Sequence, residues 1–304
     1  MADCTETEGL ADDVFMIQPS EIICVLWLVQ GPTYKLFGFR ILLLVLLFFV
    51  LMMICAVWVA SYFPRSQALR LKAMELARRG LPADAEACFR KLLAKDENMA
   101  SSDRVRLLVS LADALIDSCR YQEARDTLDK ALVLGDPTGK ANSSIAQSFL
   151  LEGNDPQNAL SMVEKAMELY AGRQPEKLPY DWGERFGNLI RSGFLAQKAW
   201  ALAQLKRSSE AQQVIDEAVQ AVDAAQAGKP NYSKASPLYG PDFRTVLQLG
   251  VAETHWRIAM ALLTLRSPRT AIPHLELVRK ADPRGKYGLL ATEQIKQATA
   301  PTEY

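Results

Sequence analysis

Histidine is almost missing from this chain of 304 residues: there are two, His255 and His274, and no spacing joins them into a paired metal-binding motif. That removes the commonest general acid–base group and the commonest metal ligand. Cysteine is scarce as well. Of the five, Cys4, Cys24 and Cys55 lie in the first 55 residues and Cys88 and Cys119 further on, with no zinc spacing and no disulfide framework. Cys88 reads as a small buried hydrophobe, and free thiols agree with a reducing compartment. Net charge is absent too, since 35 basic and 35 acidic residues cancel. Residues 1–40 hold six acids and two bases, a net −4, which leaves +4 on the remainder. Neither part has the clustered basic face that nucleic acid requires, so no nucleic-acid partner is expected.

Catalytic signatures are lacking in the same way. Gly135-Asp136-Pro137-Thr138-Gly139-Lys140 has three residues between its glycines where a phosphate-binding loop needs four, and Ala141 replaces the hydroxyl residue that would hold magnesium. A turn is the better account. Asn142-Ser143-Ser144 and Asn231-Tyr232-Ser233 match glycosylation triplets, but such triplets arise by chance and carry no weight. His255 reads as a packing residue. No nucleophile, base or metal constellation emerges, so the chain is read as no enzyme, with no cofactor and no metal.

What is present begins with residues 41–63, an apolar run of 23 residues without a charge. At about 1.5 Å per residue it spans the roughly 30 Å hydrocarbon core with some tilt. It is too long, and begins too far from the N-terminus, for a cleaved signal peptide. A transmembrane helix over 37–63 is therefore expected, as a single-pass anchor. Ahead of it, residues 1–36 are acidic and contain a short apolar stretch at 22–29, which suits the membrane interface through Trp27. Lys35 and Arg40 lead the anchor, while Arg65, Arg70, Lys72, Arg78 and Arg79 trail it, and the positive-inside rule then puts the following domain in the cytoplasm.

Beyond the anchor one pattern is written five times: a leucine, an alanine nine residues later, and an apolar residue four beyond that. The five are Leu76/Ala85/Phe89, Leu115/Ala124/Leu128, Leu150/Ala159/Val163, Leu202/Ala211/Ile215 and Leu262/Ala271/Leu275. Twelve residues before each key alanine stands Ala73, Ala112, Gln147, Ala199 or Ala259, and seven after it Leu92, Ala131, Ala166, Ala218 or Val278. Small residues at the middle of two helices let their backbones approach, and the larger ones fill the space beside them. The turns fall at Gly80, Cys119, Asn154, Lys206 and Arg266.

This pattern resembles the tetratricopeptide repeat, a helix-turn-helix unit of about 34 residues. The closing Asp136-Pro137 and Asp282-Pro283 agree with it, whereas the family's aromatic in the first helix is replaced by Leu69, Leu108, Ser143, Leu195 and His255. The expected fold class is all-α: an N-terminal transmembrane helix, then a TPR-like solenoid of about five repeats over 66–98, 105–137, 140–172, 192–225 and 252–283. A capping helix and tail follow at 284–304. Spacings of 39, 35, 52 and 60 residues between key alanines imply two insertions, 173–191 and 228–243, both rich in proline and aromatics and read as structural spacers.

The resemblance implies a concave face built from the first helices, where a protein or peptide partner would bind. The residues placed there are Arg70, Met74, Arg78, Val109, Asp113, Asp117, Gln197, Trp200, Gln204, Trp256, Arg257 and Met260. Trp, Arg and Met are favoured interface types. Chaperone-binding members grip a terminal carboxylate with a lysine and asparagines; here Arg70, Met74 and Ser110 occupy those places, so that clamp is incomplete. The resulting expectation is a membrane-anchored adaptor or scaffold, with a structural subunit of a larger membrane complex as the alternative.

Overall fold

The computed structural model describes residues 45–46, 48–53, 65–95, 99–171, 182–227 and 242–300. Among these there is no strand. The acidic segment with its 22–29 stretch lies outside the described residues, and so does most of the expected transmembrane helix. No described helix is long and apolar enough to cross a membrane. Residues 45–46 and 48–53, which fall inside that span, are helical, and each of their side chains is between 49 and 64% exposed.

The chain divides into two compact units, residues up to Lys72 and from Ala73 onward. The second carries the repetitive pattern. Its helices, numbered here in chain order, are α1 (Arg65–Arg78, which begins in the first unit), α2 (Pro82–Lys95), α3 (Ser101–Asp117), α4 (Tyr121–Val133), α5 (Lys140–Glu152) and α6 (Pro156–Ala171). They continue as α7 (Trp182–Gln204), α8 (Ser208–Gln226), α9 (Asp242–Thr264), α10 (Pro268–Ala281) and α11 (Lys286–Thr299). Consecutive pairs form five antiparallel hairpins and α11 closes the array, which is a TPR-like superhelix. From α4 to α10 each second helix packs between the first helices on either side, α2 packs on α3, and from α3 to α11 the first helices also pack on one another. They therefore form the inner layer.

The pattern's letters have physical roles. The five key alanines are fully buried, and Phe89, Leu128, Val163, Ile215 and Leu275 beside them are at most 3% exposed. The leucine sets the turn. In hairpins one, two, four and five the amides of Leu81, Arg120, Arg207 and Ser267 donate to the carbonyls of Leu76, Leu115, Leu202 and Leu262. Just before them, the amides of Gly80, Cys119, Lys206 and Arg266 donate to the carbonyls of Ala77, Ile116, Ala203 and Leu263. This is the Schellman pair of bonds, and it requires a left-handed residue at the helix end. Gly80, Cys119, Lys206 and Arg266 supply it, with φ of 74°, 57°, 61° and 57°.

Hairpin three differs. Its left-handed residue is Gly153, one place before the expected Asn154, and a single bond from the Gly153 amide to the Phe149 carbonyl (2.8 Å) closes the helix.

The insertions are corrected by the structure in part. Residues 182–191, assigned to a spacer, begin α7, and α9 starts at Asp242, ten residues before the expected repeat. The last proline of each stretch, Pro179 or Pro241, marks the point after which a helix can run. Arg185, in the added turns of α7, donates from Nε to the Ala225 carbonyl (2.9 Å) and from Nη2 to that of Gln226 (3.3 Å). It thereby satisfies the exposed end of α8. Leu189, Val222, Ala225 and Val251 form a small second core over this extension.

Candidate functional site

The inner layer is polar where four first helices meet. On α5, Gln147 stands where the other repeats have alanine, and its Oε1 accepts from Gln197 Nε2 on α7 (2.9 Å) and Arg257 Nε on α9 (3.1 Å). The Ser143 hydroxyl donates to Gln197 Oε1 (2.7 Å), while Gln197 Nε2 also reaches the Ser143 carbonyl (3.2 Å). Ser144 donates to Asp113 on α3 (2.7 Å). A side-chain network thus ties repeats two, three, four and five together. Gln147 was the sequence signal for it, as the one departure from alanine at that register.

Charge gathers at the lower end of this face. Arg257 Nη2 donates to Glu253 Oε1 at 2.5 Å, one turn away, and Tyr287 at the start of α11 also bonds Glu253. Lys286 pairs with Asp117. Burial pushes the Glu253 carboxyl up, but Arg257, Lys140 and Lys286 together outweigh it and hold it below its ordinary range. Burial raises the Asp117 carboxyl, Lys286 opposes this, and Asp113 and Glu253 add to the rise. Although protein atoms surround Glu253, its side chain stays 36% exposed, so water reaches the space beside these groups. Burial, reinforced by Glu253, keeps the Tyr287 hydroxyl protonated well above its usual range.

Lys140 and Lys286 arrive there by the same route. Each ends an Asp-Pro-x-Gly-Lys turn, Asp136–Lys140 before α5 and Asp282–Lys286 before α11. At the first, Asp136 Oδ1 accepts from the amide and hydroxyl of Thr138 (2.8 and 2.6 Å) and Oδ2 from the Ala141 amide (2.7 Å). That caps α5 and confirms a turn where a phosphate loop was considered and rejected. Asn142, of the glycosylation triplet, is fully buried, so a glycan cannot reach it in the folded chain.

The residues expected on the groove divide sharply. Asp113, Asp117 and Arg257 meet on the inner face as described. Gln197 is on the network but fully buried, and Gln204 donates to the Leu150 carbonyl (2.9 Å), linking repeats rather than facing a partner. Trp200 (3% exposed) and Trp256 (5%) are corrections: both are core residues, the second with Tyr287 at 6.4 Å between ring centroids. Val109 is likewise buried, and Met260 packs against the core. Arg78 forks onto Glu75 (2.7 and 2.8 Å) and stands 3.9 Å from Asp282. Met74 is half exposed on α1, and Arg70 lies on the same helix with intermediate exposure.

His255, read as a packing residue, is 3% exposed, and its Nδ1 lies 3.1 Å from His274 Nδ1. Burial first, then His274, pulls its pKa down to about 4. Among the described residues no group of three or more His, Cys, Asp or Glu is placed to hold a metal ion.

No protein-family model and no curated protein matches the sequence. Among solved structures, two forms of the kinesin light chain TPR-like repeats of Podosopora anserina are 16% identical to it, with TM-scores of 0.43 and 0.42. They cover 72% of this chain and 95 and 96% of their own. The TPR2AB domain of yeast Sti1, in complex with pHSP90, is 15% identical over 77% of this chain and 98% of its own, with a TM-score of 0.31. These neighbours are TPR-like repeat proteins. The description of this chain as a TPR-like array rests on its own hairpins, turns and inner layer.

Proposed function

We propose that this protein is a membrane-anchored adaptor that holds a protein or peptide partner on the inner face of its helical array. The observation that carries this is the water-accessible cluster of Asp113, Asp117, Glu253 and Arg257, to which two repeats far apart in sequence, the second and the fifth, contribute. Charged side chains held in fixed positions across several helices recognise an extended segment by matching charge and shape. The anchor is supported by the uncharged run at 41–63 and by the exposed apolar side chains of residues 45–46 and 48–53, which present no polar face to water. Basic residues trailing that run favour a cytoplasmic array.

A second reading, a permanent subunit of a larger membrane complex, is favoured by α11. A closing repeat ordinarily turns a polar face outward. Here Leu289 is 58% and Leu290 39% exposed, and Leu277 on the adjoining α10 is 45% exposed.

Crosslinking with mass spectrometry on intact membranes tests both readings. A partner crosslinked to residues of α3, α5 or α9 supports the adaptor, crosslinks confined to α10 and α11 in a stoichiometric assembly support the subunit, and none on either surface removes both. Carbonate extraction tests the anchor: release of the intact protein from membranes would exclude it.

A further inference from the structure

The inner face is crossed by contacts between parts of the array that are not neighbours. Arg78 of repeat one approaches Asp282, Asp117 of repeat two pairs with Lys286, and Gln147 of repeat three accepts from Arg257 of repeat five. Two of the three end at the turn into α11. There Lys286 lies over the Tyr287 ring, 4.8 Å from its centroid, while that ring covers Trp256 and its hydroxyl bonds Glu253. A cation and an aromatic from the chain itself thus occupy the cluster described above.

We propose that Lys286 and Tyr287 are a built-in occupant of the inner face, and that the surface they cover is the docking site for a partner segment bearing a basic residue next to an aromatic one. The proposal rests on the adaptor reading. Asp113, Asp117 and Glu253 put three carboxylates around this space, and Asp117, 14% exposed, has Lys286 as its cation. Leaving such a carboxylate unpaired is costly, so any segment that displaces Lys286 has to bring a positive charge. It also has to bring a ring, because withdrawing Tyr287 uncovers Trp256 and strips Glu253 of a hydrogen bond.

The occupant is exchangeable by construction. Lys286 and Glu253 keep 27 and 36% exposure, so water already reaches the contacts that must break. The rest of α11 is held from another side, by α10 and through the buried Gly288 and Ala291. Because the occupant is tethered at high effective concentration, it scales the apparent affinity for every competitor down to the intrinsic affinity times the fraction of open molecules.

The test uses the full-length protein in detergent, with folding verified by far-UV circular dichroism. The probe is a fluorescently labelled peptide of residues 282–291 followed by anisotropy. Wild-type protein binds it weakly, and Lys286→Gln binds it at least tenfold more tightly. Adding Asp117→Asn to that variant removes the gain. Lys286→Met, which keeps the stem over Tyr287, is the second opened variant should the first fail to fold. A control peptide with Glu and Ala in place of the Lys-Tyr pair does not bind. Equal affinity of wild type and folded opened variants overturns the occupant, and equal binding of the control peptide overturns the basic–aromatic preference. If either happens while a native partner still crosslinks to α3, α5 or α9, the adaptor reading stands alone; if those crosslinks are also missing, it falls too.

Discussion

The two Asp-Pro-x-Gly-Lys turns are near copies in sequence and unlike in structure. Gly139 is left-handed, at φ 70° and ψ 3°, whereas Gly285 is extended, at φ −93° and ψ −180°. The residue between proline and glycine decides. Thr138 donates its hydroxyl to Asp136 and accepts from the Lys140 amide (3.1 Å), so its short side chain organises the first turn from within. Arg284 is too long for that role. Asp282 instead presses on the start of α11, where a Cβ on Gly285 would strike its carboxylate and one on Gly288 its backbone carbonyl. Both aspartates face the backbone amides that open their helix, but only the second turn is also packed tightly enough to exclude a Cβ, so each is most sensitive to a different change.

The largest expected effect breaks the packed turn. Gly288→Ala drives a methyl into the Asp282 carbonyl and costs about 3 kcal/mol or more, the upper end for overpacking, read as a fall in thermal midpoint; an unchanged midpoint would show that the packing is looser than described. Next comes acid, which tests whether the hairpin before that turn yields early. The His255 pKa is about 4 in the folded chain against 6.5 when unfolded. A lowered histidine contributes stability that is complete above pH 6.5 and drains away as pH falls toward 4, here roughly 3 kcal/mol. Burial lowers the His274 pKa as well, with Asp223 opposing it in part, so that partner adds to the same loss. His255→Phe should flatten this part of a stability-versus-pH curve, and a curve that keeps its slope would remove the histidine pair as its cause.

The hydrogen-bonded turn supplies the third test. Asp136→Ala removes the cap of α5 and costs about 1 to 2 kcal/mol in denaturant unfolding. Asp282→Ala costs less, because burial pushes that carboxyl up and the amides of Tyr287, Gly288 and Gly285 together with Arg78 offset this only in part. Equal losses would erase the contrast between the turns. The smallest effect concerns the hairpin turns: Cys119→Gly, Lys206→Gly and Arg266→Gly each relieve a left-handed non-glycine residue and gain about 0.5 to 1 kcal/mol. Gly153→Ala should lose a comparable amount.

Legibility in the sequence follows the same division between local rule and distant contact. Every key alanine of the fivefold pattern is buried, and four of the five expected turn positions take the left-handed conformation, because helix pairing and helix termination are local. Trp200 and Trp256 were placed on the wrong side for a physical reason. Helices packed on several sides, such as α9 between α7, α8, α10 and α11, are apolar around most of their circumference, so periodicity cannot assign an outer face. The added turns of α7 and α9 were hidden by the prolines just ahead of them. The inner network joins residues as far apart as Gln147 and Arg257, and a reading by repeat registers sees only Gln147's failure to be alanine.

Those long-range bonds change how the molecule answers force. An array in which each unit touches only its neighbours unzips from either end, link by link, with a modest barrier at each step. Bonds from Gln147 to Arg257 and from Asp117 to Lys286 skip intervening units, so traction on the C-terminal helix is shared with repeat two before repeats three and four are loaded. Under tension the array behaves as a buckled strap: it resists while Lys286 is seated and lengthens like a spring once that residue leaves.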